Sequence, residues 1–86
     1  MNNKPHIGHL IQAELKKQGK STTWLSAQIG YSREHMYKIF RNEYIYTDTL
    51  LKISLILKHD FFKYYSNYLH QQKRNVMFFE QKIDDI

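Results

Sequence analysis

The side chains of this 86-residue chain that could hold a metal or move a proton are five histidines and eight carboxylates, and their spacing argues against both tasks. His6 and His9 stand three apart, which sets two imidazoles on one helix face. No carboxylate or third histidine falls in register beside them, and a His pair alone rarely holds zinc. His59 beside Asp60 offers two more donors, but metal-assisted phosphate chemistry needs further His and Asp ligands on a larger scaffold. Asp60 reads better as a helix cap. Cysteine is absent, which removes disulfides, thiolate metal sites and Cys nucleophiles together. No nucleophile–base–orienter trio can be assembled and no Gly-rich phosphate loop occurs. The expectation is a protein without metal, cofactor or enzymatic activity.

What is left is charge and aromatic surface on a small body. A chain of 86 residues buries roughly 60% of its unfolded surface, enough for one core. One Pro and three Gly leave most of the chain able to be helical. No apolar run approaches the ~20 residues of a membrane span, and Met1–Pro5 has no apolar signal segment, so a cytoplasmic location is expected. The net charge is +5, unevenly spread: residues 1–79 carry 12 Lys or Arg against 5 acids, and the last seven carry −2. A basic body points towards a polyanion such as nucleic acid.

Helical spacing of apolar residues defines five elements. Ile7, Leu10, Ile11 and Leu15 share a face over about Ile7–Lys17, and Gly19 can take the left-handed conformation that ends a helix. Ser21 caps a short second helix, Thr22–Ile29, which Gly30-Tyr31 breaks. Ser32 caps a third, Arg33–Arg41, with Met36, Ile39 and Phe40 at helical spacing, and Asn42 suits a left-handed stop. After the loop Glu43–Tyr46, Thr47 is expected to cap a fourth helix ending at Leu57. Its Leu50, Leu51, Ile53, Ile56 and Leu57 cover more than half its circumference, so it should be the most buried element. Lys58-His59 turns the chain, Asp60 caps, and Phe61 to about Gln71 forms a fifth helix. Val76-Met77-Phe78-Phe79 is apolar on both alternating faces and fits a strand or more helix; a strand over Val76–Gln81 is the preferred reading. The organisation expected is an all-α domain over 1–69 with a tail over 70–86.

Two short helices joined by a turn of three or four residues containing Gly form the helix-turn-helix pattern. Here Ser26 is the small residue where the helices cross and Gly30 supplies a positive φ. Leu25, Ile29, Met36 and Ile39 would lock the pair together.

From Ile7 to about Ser66 the chain resembles the Cro/repressor (XRE) helix-turn-helix family of bacteria and phages. The resemblance rests on Ile7-Gly8, Ile11, Gly19, Ser21, Leu25, Ser26, Ile29-Gly30, Ser32-Arg33, Ile39 and Leu50-Leu51-Lys52-Ile53. Thr23-Trp24-Leu25, Tyr37-Lys38-Ile39-Phe40, Asp60-Phe61-Phe62 and Tyr65-Ser66 are similar to a variant subgroup among small Bacteroidetes transcriptional regulators. The resemblance implies a lambda-repressor-like fold that binds double-stranded DNA as a small regulator, a repressor, working as a homodimer.

By position, the resemblance assigns base reading to the early exposed residues of the third helix, Arg33, Glu34, Tyr37 and Lys38. Arg33 could grip a guanine edge and Glu34 accept from a cytosine amino group. An ion pair between Glu34 and Lys38, four apart, is the bland alternative. Phosphate contact falls to Ser21 and Thr22 at the start of the second helix, where backbone amides also favour an anion, with Ser32, Arg41 and Lys52. Many relatives carry Glu where Phe40 stands, Gly where Asn42 stands and basic residues in the next loop. Here that loop is Glu43-Tyr44-Ile45-Tyr46, whose tyrosines could reach phosphates or pack inward.

The aromatics leave a second reading open. Phe61, Phe62 and Tyr65 are expected to seal the core, whereas Tyr68, Val76, Phe78 and Phe79 are expected at a dimer or partner interface, with the tail strand pairing against its symmetry mate. A protein-interaction or antitoxin-like adaptor using the aromatic fifth helix and tail is the alternative function.

Overall fold

The computed structural model describes residues 4–75, and those residues are helical with no strand among them. The elements are α1 (Ile7–Lys17), α2 (Thr22–Ile29), α3 (Arg33–Arg41), α4 (Thr47–Leu57) and α5 (Phe62–Asn75). They fall into two units: His6–Phe61 holds α1 to α4, and α5 belongs with Lys4 and Pro5.

Within His6–Phe61, α1 packs on α3, and α2 packs on α3 and α4. The core is built from Ile7, Ile11 and Leu15 of α1, Leu25 of α2, Met36, Ile39 and Phe40 of α3, and Leu50, Ile53 and Leu57 of α4, closed by Phe61. These are the positions that helical spacing sets on one face of each element, and burying them supplies the main driving force.

The caps follow local chemistry. The His9 N–H donates to Nδ1 of His6 at 3.1 Å, the Trp24 N–H to Ser21 Oγ at 3.0 Å and the His35 N–H to Ser32 Oγ at 3.0 Å. The α2–α3 turn closes on the Ser26 carbonyl, which accepts from both Gly30 and Tyr31 at 2.9 and 3.0 Å. Gly30 sits at φ +84°, as the turn demands.

Four expectations are corrected. Thr47 is the first residue of α4, not its cap; Tyr46 holds the cap position and makes no side-chain cap bond. Asn42 is extended (φ −87°, ψ 135°), not left-handed, because its carbonyl is committed to an acceptor role at the start of α1. The left-handed stop falls instead on Lys58 after α4, at φ +52°. Finally, α4 is not the most buried helix: Leu51 and Leu55 stay 48% and 70% exposed. The fifth helix also begins and ends later than expected, running through Asn75. Phe62, Tyr64, Tyr65 and Tyr68 along it are half-buried. Burial pushes the Tyr65 hydroxyl pKa up, and the nearby Lys4 charge opposes it. The strand expected over Val76–Gln81, with Val76, Phe78 and Phe79, lies outside the described residues.

At the junction of α1 with the end of α3 the two backbones approach closely. Ile7 and Gly8 N–H groups donate to the carbonyls of Glu43 (3.2 Å) and Asn42 (3.1 Å). A Cβ on Gly8 would stand inside van der Waals contact of the carbonyl oxygens of Ile39, Phe40 and Asn42, all backbone. Gly→Ala inside a helix ordinarily stabilises by about 0.5–1 kcal/mol. Here the sign should invert: Gly8→Ala is expected to cost ~1–3 kcal/mol by overpacking, measured by urea denaturation. A neutral or stabilised variant would show that α1 can shift without loss.

Candidate nucleic-acid interface

The α3 helix is two-faced. Met36, Ile39 and Phe40 anchor it in the core, while Arg33, Glu34, Tyr37, Lys38 and Arg41 line the opposite side and are exposed. The sequence-derived set of Arg33, Glu34, Tyr37 and Lys38 therefore comes together on one solvent-facing surface, with Arg41 one turn on from Tyr37 and Lys38. Tyr37 is 46% exposed and rests edge-on against Phe40, ring centroids 6.1 Å apart. Among the described residues Glu34 and Lys38 form no ion pair with each other. Ser32, Glu34, His35 and Lys38 instead line a shallow hollow of about 370 Å³.

Ser32 Oγ accepts from the backbone as a cap and still carries its own proton, which can be donated to an anion. The same holds for Ser21 at the start of α2. That end of α2 directs the Thr22 and Thr23 N–H groups outward, as every helix N-terminus does with its first amides. Lys52 lies on another helix, where its Nζ is 3.4 Å from Asp48 one turn earlier. Such an exposed pair is worth little and would not hold Lys52 back from a stronger anion.

Two side-chain pairs at this surface escaped the sequence reading. The His35 ring stacks on Tyr31, centroids 4.3 Å apart, bracketing the Ser32 cap. Lys20 Nζ sits 4.2 Å above the Trp24 ring, adding a cation beside Ser21 and Thr22. Both pairs are four residues apart across a cap, and that spacing is the signal that could have found them. Tyr44 and Tyr46, for which packing and exposure were both open, are 69% and 86% exposed. With Tyr31, His35 and Ile39 they border a groove of about 590 Å³ along the flank of α3.

His6, His9 and His59 are engaged in structure. His6 and His9 rings stack at 3.5 Å, with His6 Nδ1 serving as the α1 cap. His59 Nδ1 lies 3.5 Å from Glu14 Oε1. Among the described residues no three His, Asp or Glu side chains converge as a metal site. No described helix is long and apolar enough to cross a membrane.

No family model, curated protein or solved structure matches the chain.

The Ser32 cap fixes where α3 begins, and with it the position of Arg33 and Glu34. Ser32→Ala should destabilise the protein by ~1 kcal/mol, whereas Ser32→Gly should cost only a few tenths. Urea denaturation of the three proteins checks this order. Equal losses for Ala and Gly would mean that the Ser32 hydroxyl is not what holds the helix start.

Proposed function

We propose that this protein binds double-stranded DNA sequence-specifically and acts as a small transcriptional regulator, a repressor, by placing α3 in the major groove. The observation that carries this reading is the division of α3 into a core-anchored apolar face and an exposed face of Arg33, Glu34, Tyr37, Lys38 and Arg41. A helix held from behind in this way can enter a groove about 12 Å wide without unfolding anything. Arg33 matches the donor geometry that grips guanine O6 and N7, and Glu34 that of an acceptor for the cytosine amino group.

Affinity comes mainly from phosphate contacts. Ser21, Thr22, Ser32, Arg41 and Lys52 supply them, joined by Lys20. The proposal concerns binding, without catalysis and without a cofactor. Two copies on a palindrome would set their α3 helices about 34 Å apart, one duplex turn.

Selection of bound duplexes from a random library, at near-physiological salt, tests the reading. The expected result is an enriched palindromic site whose affinity falls steeply as salt rises. Arg33→Ala should then cost ~1–3 kcal/mol on that site and relax one base position. A folded protein that enriches no sequence overturns the proposal. An Arg33→Ala protein that treats selected and scrambled duplexes as the wild type does overturns the assignment of α3.

A further inference from the structure

The loop after α3 carries two tyrosines outside the core, beside a groove that the function proposed above does not use. One wall of the groove follows the flank of α3 and is made by Tyr31, His35, Ile39 and Asn42, at spacings of four, four and three. The other wall is Tyr44-Ile45-Tyr46 with Thr49 of α4. Tyr44 and Tyr46 are 69% and 86% exposed, so both remain accessible. The Tyr31 and His35 rings stack with centroids 4.3 Å apart, which gives the first wall a fixed aromatic plate. The cleft between the walls measures about 590 Å³ and is open to solvent. None of Arg33, Glu34, Tyr37, Lys38 and Arg41 lines it, so it lies beside the surface assigned to DNA rather than on it.

Aromatic rings with an amide and hydroxyls between them suit an occupant that has flat apolar rings and unpaired backbone carbonyls. A polyproline II segment has both. Its pyrrolidine rings lie against aromatic faces, and its carbonyls make no internal hydrogen bonds and so accept from donors along the groove. The Asn42 amide and the tyrosine hydroxyls are such donors. A polyproline II segment is also largely ordered before it binds, so an open groove can hold it at little cost in entropy. Charge then selects among ligands that stack on rings. Among the described residues no Lys or Arg lines the groove. Glu43 stands between Asn42 and Tyr44, and Asp48 directly precedes Thr49; both are exposed. Asp48 also meets Lys52 at 3.4 Å, an exposed pair too weak to withdraw it. An acidic rim repels the phosphates of a single-stranded nucleic acid, whose bases also stack on aromatic rings, and attracts a cation. We infer that this groove binds a proline-rich segment of a partner protein in the polyproline II conformation, an Arg or Lys of that segment being held by Glu43 and Asp48. The inference does not rest on the DNA reading, because the association is measured with protein and peptide alone.

Amide NMR spectra of the full chain, titrated with a blocked oligoproline peptide that carries one arginine at its end, are the test. Saturable shifts should gather on Tyr31, His35 and residues 44–49. Tyr46→Ala should weaken binding by about tenfold. That side chain is 86% exposed, and the spectrum of the free variant verifies that the fold survives its loss. Glu43→Gln combined with Asp48→Asn should weaken binding of the arginine peptide about threefold or more and leave that of plain oligoproline unchanged. A groove that takes up no peptide at millimolar concentration overturns the proposal, and so does binding indifferent to Tyr46→Ala. Equal binding of a peptide with every second proline changed to alanine also overturns it, since the groove would then not select polyproline II. If single-stranded oligothymidine shifts the groove residues and the proline peptide does not, the groove is a nucleic-acid site and the proposal falls. Binding of both oligoproline peptides that ignores the loss of Glu43 and Asp48 charge overturns the place given to the cation.

Discussion

The absence of one side chain, at Gly8, lets the first helix lie against the backbone that ends the third. The first amides of a helix and the carbonyls following one are left over by their own helices, and each costs free energy if buried unpaired. Here the two sets answer each other: Ile7 and Gly8 donate to Glu43 and Asn42. The other two amides of that turn are met locally, His9 by the His6 ring and Leu10 by the His6 carbonyl. The positive end of the α1 dipole also meets the negative end of α3, which is the favourable order. A Cβ at residue 8 would press on those carbonyls and push α1 away from the end of α3.

The presentation of α3 rests on that junction. One end of α3 is held by α1, and the other is fixed by the α2 turn, where the Ser26 carbonyl gathers the Gly30 and Tyr31 amides. Held at both ends, α3 keeps Met36, Ile39 and Phe40 inward and its charged side outward. A second polar link ties α1 to the end of α4. Gln18 donates at 2.8 Å to the Leu57 carbonyl and at 2.9 Å to Glu14, whose other oxygen faces His59. The link satisfies a carbonyl that the last turn of α4 leaves over, at the place where Lys58 bends the chain away. Ser54 is the exception in this helix, its hydroxyl buried without a partner. A buried orphan hydroxyl detracts from stability.

Much of the four-helix unit was legible in the residue order. The bounds of α1, α2 and α3 follow from Ser21, Ser32 and Gly30, because a cap acts within about four residues and needs nothing from elsewhere. The core followed from spacing for the same reason. The exposed set on α3 was legible too, since a helix with three anchored positions must turn the others outward. The pairs Tyr31–His35 and Lys20–Trp24 were within reach of the same local logic.

What the sequence by itself determined, then, is the helices that form, most of their ends and which face of α3 is charged, all matters of contacts a few residues apart. The tertiary structure decided the rest. Gly8 is indispensable only because Ile39, Phe40 and Asn42, more than thirty positions away, bring their carbonyls to it. Asn42 is extended because its oxygen serves α1, so its intrinsic liking for a left-handed stop was overruled. Lys58 takes that conformation in spite of its Cβ, as the chain must turn there to return Phe61 to the core. Leu51 and Leu55 are exposed because Leu50, Ile53 and Leu57 already fill the one face of α4 that α2 can cover. Such outcomes depend on which backbone and which face arrives from a distance, and no pattern of neighbouring residues encodes that.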